Sequence, residues 1–182
     1  MSQRVISVFG SAGPQPGSPA YEQARTVGRL LAEAGFAVAT GGYSGVMSAV
    51  SQGAAAAGGH VIGVTCAQIE QFRPLGANQW ISEEIKYQTL QDRVLHLVKH
   101  NDGVISMPGG IGTLSEMALA WSFVQVGEIS PRPHVLFGDI WRNTIQAFIH
   151  RDYVGDSHIE LLHFANTPEE AVTHIRNVVR GA

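Results

Sequence analysis

Apolar residues along this chain fall into short, nearly unbroken runs that alternate with longer stretches of helical period. Val5 to Phe9 is such a run and ends at Gly10-Ser11-Ala12-Gly13. Ser18-Pro19 then opens a helical pattern through Leu30-Leu31 that stops at Gly35, with the capping serine, the early proline and the terminal glycine in their preferred positions. The unit recurs. Phe36 to Thr40 predicts a second strand, Gly41 to Gly45 a loop, and Val46 to Ala57 a helix closed by Gly58-Gly59. His60 to Thr65 predicts a third strand, Cys66 to Trp80 a less regular segment, and Ser82 to His100 a long helix. Gly103 to Met107 is a fourth strand, Pro108 to Gly112 its loop, and Thr113 to Val126 the next helix. A fifth strand (His134 to Phe137), a helix from Trp141 to about Tyr153, a sixth strand (Leu161 to Ala165) and a helix from Pro168 to Val179 complete the pattern.

Strands that are apolar throughout, each followed by a helix, are buried on both faces, which is the signature of a parallel sheet. Right-handed crossovers make such a sheet doubly wound. The expected class is therefore α/β, a doubly wound parallel sheet in a single domain over residues 1–182, since no linker or repeat divides the chain. Ligands of such sheets bind outside the carboxyl ends of the strands, where the glycine loops fall.

Composition narrows the function. Glycine is abundant, 21 of 182 residues, while charged residues make up only 15 % against about 25 % in an average protein. With 45 % hydrophobic residues, disorder is excluded. The longest stretch without Asp, Glu, Lys or Arg, Ala34 to Ile69, is interrupted by glycine clusters and holds no apolar run of about 20 residues, so it predicts no membrane span. Val5 to Phe9 follows Arg4 directly, without the apolar segment of a secretory signal. The one cysteine, Cys66, forms no internal disulfide, and a cytoplasmic home is the expectation. A net charge of −3 and a pI near 6.2 lack the basic footprint of a nucleic-acid binder or of a membrane-surface protein.

Several nucleotide motifs are absent. The only lysines, Lys86 and Lys99, do not follow a glycine loop, which excludes a phosphate loop of the GxxxxGK[ST] type. The first glycine loop is not GxGxxG, and Thr40-Gly41-Gly42 stands where a dinucleotide fold carries its ribose-binding acid. Gly42-Tyr43-Ser44-Gly45 has the wrong spacing for a GxSxG nucleophile elbow. Asp92, His96 and His100 share one predicted helix face, yet no HExxH or carboxylate cluster completes a metal site, and neither metal nor cofactor is expected.

The segment richest in chemistry is Met107 to Glu116, which reads MPGGIGTLSE. Its glycines let backbone approach a ligand, and the N–H groups and positive dipole end of the following helix suit a monophosphate. Glu116 has the wrong sign to bind phosphate. Thr113-Leu114-Ser115-Glu116 also matches a capping box, in which Glu116 would return to its own helix N-terminus, and spacing alone fits both roles. Arg93, on the predicted helix before the fourth strand, falls at the edge of the stripe of Tyr87, Leu90, Val94, Leu97 and Val98, on the same flank as Lys86. From there it either extends to solvent or reaches over the carboxyl edge of the sheet.

Asp92-Arg93 followed by PGGxGTxxE resembles the LONELY GUY (LOG) family of cytokinin-activating nucleoside 5′-monophosphate phosphoribohydrolases. The likeness runs from Val5 through Gly41 to Met47 and Gly59 to Val64 into the PGGIGTLSE segment. It implies a Rossmann-like fold, a homodimer, and hydrolysis of the N-glycosidic bond of a nucleotide to free base and ribose 5-phosphate. It implies Arg93 and Glu116 as the catalytic pair. Gly10, Ser11, Gly42, Gly109, Gly110, Ile111, Gly112 and Thr113 are the expected phosphate and nucleotide contacts, with Ser122 in a family hydroxyl position. The family's Arg-Lys pair is Arg93-Val94 here, and Tyr43 stands in its glycine-rich second loop. Arg93 would orient the nucleotide and keep Glu116 ionised, and Asp92 is the only nearby second acid. The base would meet Cys66 to Trp80 or a partner chain. A lysine-decarboxylase label borne by relatives fails on chemistry, because Lys86 and Lys99 lack the setting of a Schiff-base lysine. The rival expectation is a carrier that binds a nucleotide or a phosphorylated cofactor such as a molybdopterin without cleaving it. The Ala-rich stretch Ala54 to Ala57 offers a surface for close packing of a second copy.

Overall fold

Alternate residues of each central strand enter different cores, which is why the runs carry no polar alternation. The structure is a computed structural model and describes residues 3–72 and 76–181. In β1 (Val5–Phe9), Ile6 and Val8 join one apolar cluster while Val5 and Phe9 join another. In β6 (His134–Phe137), Val135 and Phe137 point to the first cluster and Leu136 to the opposite side. With β2 (Ala37–Thr40), β3 (Val61–Cys66), β4 (Glu83–Tyr87), β5 (Gly103–Ser106) and β7 (Leu162–Ala165), these form one parallel sheet of order β4-β3-β2-β1-β5-β6-β7.

Helices α1 (Pro19–Glu33), α2 (Val46–Ala56) and α8 (Pro168–Gly181) supply the cluster on one face. Helices α4 (Leu90–Lys99), α5 (Ile111–Gln125) and α6 (Asp139–Phe148) cover the other. Two short helices, α3 (Ala67–Phe72) and α7 (Asp156–Ile159), complete the order. The doubly wound Rossmann-like class is therefore the observed one. The chain winds outward from β1 to β4, then returns across the sheet to β5. That reversal opens a crevice at the carboxyl ends of β1 and β5, the position where such folds bind ligands. The loops after those two strands meet there, with the Ser11 N–H donating to the Pro108 carbonyl at 3.2 Å.

The expected helix over 82–100 is the main correction. Glu83–Tyr87 is the edge strand β4, and α4 begins only at Leu90, after the Thr89 cap. Lys86 and Tyr87 therefore leave the helix flank on which the sequence pattern placed them. Charged Glu83, Glu84 and Lys86 disguise β4 as helix, yet such charges are how an exposed edge strand avoids pairing with another chain. The Thr89 hydroxyl accepts from the Asp92 N–H at 3.1 Å and donates to the Asp92 carboxylate at 2.6 Å, so the Asp92 side chain is tied to the cap of its own helix. His96 is likewise engaged, through Nδ1 with the Tyr87 hydroxyl at 2.9 Å. The stretch Cys66 to Trp80 is less irregular than its composition implies, because it contains α3; Arg73, Pro74 and Leu75 lie outside the described residues. Gly53 and Ala54 of α2 turn inward, so that part of the Ala-rich stretch packs within the chain and not against a second copy.

One buried group makes stability depend on acid. His134 is enclosed between strands, its Nε2 bonded to the Ser106 hydroxyl at 3.1 Å, and burial pushes its pKa down to about 4 from 6.5. The unfolded chain takes up this proton below pH 6.5 while the folded chain resists it until about 4. The contribution is therefore complete above 6.5 and lost as pH falls, by about 3 kcal/mol in total. Urea midpoints at pH 7 and 4.5 should differ more for the unsubstituted protein than for His134→Asn. Equal pH dependence in the two would remove His134 as the cause.

Candidate active site

The glycine loop after β5 forms the first wall. Gly110 is the N-cap of α5 and contributes no side-chain cap, leaving the first-turn N–H groups of Ile111, Gly112 and Thr113 without helical partners. A Cβ at Gly110 or Gly112 would meet nothing within 4 Å, so both face open space. Thr113 is therefore inside the helix and not its cap, and the capping-box geometry does not form. Glu116 turns instead toward Arg93.

Arg93 is buried, at 6 % exposure, rather than extended to solvent. Its guanidinium makes three contacts: Nε donates to the Val64 carbonyl at 2.9 Å, Nη2 to the Gly41 carbonyl at 3.2 Å, and Nη1 to Glu116 Oε1 at 3.3 Å. Three segments distant in sequence thus converge on one side chain. Gly41 is needed here because any Cβ would lie 1.9 Å from Nη2. The Arg93 Cζ also lies 5.8 Å from the centre of the Tyr43 ring, whose hydroxyl accepts from the Cys66 N–H at 2.8 Å. Tyr43 thereby fixes one side of the guanidinium through a cation–π contact.

Burial pushes the Glu116 carboxyl above the ordinary glutamate value of 4.5, and Arg93 offsets only part of that. Arg93 acts in the expected direction, toward the ionised form, while loss of hydration outweighs it. A raised carboxyl that lines a cavity and is held by one cation is suited to face positive charge that develops in a ligand.

A cavity of about 470 Å³ lies over this pair. Among the expected residues, Gly10, Ser11, Arg93, Gly110, Ile111, Gly112, Thr113 and Glu116 line it together. Three others stand apart. Gly109 lines a smaller neighbouring cavity and has a Thr113 side chain where its Cβ would be. Gly42, at φ +80°, faces Thr65 of β3, while its neighbours Gly41 and Tyr43 reach the cavity. Ser122 lies six residues beyond Glu116, a third of a turn away in projection, and lines a separate apolar cavity with Trp121 and Phe148. Sequence reasoning did not name Gly41, Tyr43 or Met47, which also line the main cavity. The TGGYSG loop signalled the first two. Ile69, which lines it too, falls in the Cys66 to Trp80 stretch expected to meet the base.

The LDcluster4 model of the SLOG cluster4 family matches residues 3–145. An uncharacterized protein of Archaeoglobus fulgidus is 35 % identical over 100 residues, 55 % of this chain and 63 % of that protein. The cytokinin riboside 5′-monophosphate phosphoribohydrolase LOG3 of Arabidopsis thaliana is 27 % identical over 174 residues, 93 % of this chain and 80 % of that protein. The molybdenum cofactor binding protein of Rippkaea orientalis superposes with a TM-score of 0.76 at 26 % identity, over 97 % of this chain and 98 % of that one. In three of the curated relatives the aligned stretch spans only 63, 47 and 50 % of their own length. No helix among the described residues is long and apolar enough to cross a membrane. A family match over most of the chain, together with the LOG-like relatives and the converging PGGIGTLSE and Arg93 segments, places this protein in the SLOG cluster4 family, within the LONELY GUY-like group.

Proposed function

We propose that residues 1–182 act as one nucleotide-binding domain that hydrolyses the N-glycosidic bond of a nucleoside 5′-monophosphate, AMP or a cytokinin-type nucleotide, to free base and ribose 5-phosphate. The observation that carries this is the buried Arg93–Glu116 pair set directly beside an anion cradle. Phosphate sits against the first turn of α5 and the loop after β1, which places the ribose over Glu116. Breaking the C1′–N bond leaves its electron pair on the base and positive charge on the sugar. The Glu116 carboxylate stabilises that charge and orients the water whose oxygen adds to C1′. Arg93 holds the carboxylate in place and neutralises it before the charge develops. The water gives up a proton to solvent as its oxygen bonds C1′, and the base takes one up from solvent as it leaves, since the Asp92 carboxylate is held by the Thr89 hydroxyl.

Incubating the pure protein with a panel of nucleoside monophosphates tests this by the appearance of free base and ribose 5-phosphate. The name and the likeness of the Rippkaea orientalis protein favour a second reading, a carrier that holds a nucleotide or a molybdopterin-type cargo. A carrier has no use for a buried acid facing its ligand, and it would yield no free base.

The homodimer belongs to the same reading. Helix α5 carries apolar residues on its exposed side as well as on its buried one. One side lies on the sheet. The other presents Ile111 at 81 % exposure, with Leu114, Ala118 and Ser122 on the same stripe, beside the apolar cavity of about 530 Å³ that holds Trp121 and Phe148. A second copy over this face would bury it. Light scattering should return twice the 19.5 kDa chain mass, and a value near 19.5 kDa would overturn the dimer.

A further inference from the structure

Tyr43 is buried, yet it belongs to none of the three apolar clusters. It is the one large side chain between Gly41 and Gly45, and polar contacts hold it from two directions. Asn78 pins the loop itself, donating from Nδ2 to the carbonyls of Gly42 and Tyr43, each at 3.1 Å. At the far end the Tyr43 hydroxyl accepts from the Cys66 N–H at 2.8 Å, and its proton is within reach of the Cys66 carbonyl at 3.2 Å and of Glu70 Oε1 at 3.4 Å. Glu70 is held in turn by Lys86 Nζ of β4, at 2.5 Å from Oε2. Lys86, which shares no helix flank with Arg93, is thus linked to it through Glu70 and Tyr43. Both ends of the tyrosine are fixed independently of the arginine that its ring meets.

The hydrogen bonds from Arg93 to Val64, Gly41 and Glu116 act in the plane of the guanidinium, where its N–H groups lie. They resist movement across that plane least. The bond to Glu116, at 3.3 Å, is the longest of the three and the first to be lost if the group shifts. The contact that opposes such a shift is the Tyr43 ring, with Arg93 Cζ over it at 5.8 Å. Its attraction is specific to a cation, because the ring face carries the negative lobe of the quadrupole, and a saturated side chain in the same space would not supply it. We propose that Tyr43 is a positioning residue: its ring, anchored at the hydroxyl, holds the Arg93 guanidinium against Glu116 and so sets how much of the arginine's charge the acid feels. The role concerns the pair itself and does not depend on whether a ligand is cleaved or only carried. Arg93 is the one charged group acting on the Glu116 carboxyl among the described residues, and it favours ionisation against the effect of burial. A guanidinium released from the ring moves away from the carboxylate, and Glu116 should then keep its proton to higher pH.

A titration of the free protein tests this. Carboxyl-labelled glutamate is followed by NMR as pH is varied, and the Glu116 signal is the one absent from Glu116→Gln. Tyr43→Leu should raise the Glu116 midpoint by about one pH unit, part of the lowering that an adjacent cation gives a carboxyl. Tyr43→Phe keeps the ring and loses only the hydroxyl anchor, so it should move the midpoint clearly less. Replacing Tyr43 by pentafluorophenylalanine conserves the shape of the Phe ring but reverses the polarity of its face, and it should raise the midpoint as far as leucine does. Thermal melting of each variant reports packing separately. A tyrosine that only fills space would lower Tm on substitution and leave the Glu116 midpoint in place. That result, or equal midpoints for Phe and its fluorinated form, would overturn the proposal. If Tyr43→Leu does not fold, the comparison of the two rings decides alone.

Discussion

Glu116→Gln should lower turnover of a nucleoside 5′-monophosphate by on the order of a thousandfold while leaving the protein folded and able to hold ribose 5-phosphate. The amide keeps the shape of the side chain and still offers an oxygen to Arg93, so packing is conserved. What disappears is the negative charge beside C1′. The expected stability change runs opposite to the activity change. Because burial raises the folded pKa of Glu116 above 4.5, its contribution to stability is fully present below the unfolded value and is lost as pH rises through the folded one. Above the unfolded value the desolvation of this acid opposes folding, and the uncharged amide removes that opposition. Arg93 retains the Val64 and Gly41 carbonyls, so it is not stranded. Steady-state rates and thermal melting at pH 7.5 should therefore show lost activity with an unchanged or raised Tm. Unchanged turnover would remove Glu116 from the chemistry. Lost activity with a clearly lowered Tm would make it a structural residue.

The second large effect is on stability. Helices α1 and α2 touch backbone to backbone at two glycines: a Cβ at Gly53 would lie 1.9 Å from the Arg25 carbonyl oxygen, and one at Gly28 would lie 2.0 Å from that of Val50. Neither obstacle is a flexible side-chain end, so each added methyl must push one helix off the other. The helices have little room to part. The Val46 N–H at the start of α2 donates to the Ser11 carbonyl at 2.8 Å, and Gly45 before it, at φ +65°, sits against Ser11 and Ala12. Gly53→Ala gains about 1 kcal/mol of helix propensity and forfeits about 3 kcal/mol or more to overpacking, for a net loss of roughly 2 kcal/mol. Gly28→Ala should behave alike. The double variant should lose less than the sum, because the first methyl already opens the gap that the second needs. Urea midpoints measure all three. An unmoved midpoint for Gly53→Ala would mean that the helices separate freely. The displacement would also reach the site, since Ser11 lines the main cavity.

Most of the element order was legible because it is written locally. A run such as Val5 to Phe9 can only be a strand buried on both sides, and Ser18-Pro19 and Gly35 mark the ends of α1 by the chemistry of unpaired backbone groups. Edge strand β4 was not legible, because its charged residues face water and imitate a helix flank. The misreading moved Lys86 and, with it, the predicted surroundings of Arg93. Among the site residues, the PGGIGT loop declared itself by its glycines set just before a helix, although a Cβ at Gly110 or Gly112 would meet nothing within 4 Å. Arg93 and Glu116 were named by their motif, but their meeting was not.

By itself, the sequence determined the alternation of strand and helix, the gathering of three glycine loops at one sheet edge, and a cation and an acid worth pairing, since each follows from residues close together in the chain. The tertiary structure alone decided that Arg93 is buried against the carbonyls of Gly41 and Val64, that burial outweighs the arginine in raising Glu116, that Ser122 belongs to another surface, and that Val94 lines a second cavity that the pair also lines. Those outcomes depend on strand order and register, which bring together residues 23, 29 and 52 positions apart. Hydration, and with it the acidity of Glu116, is a property of that assembled surface rather than of any local segment.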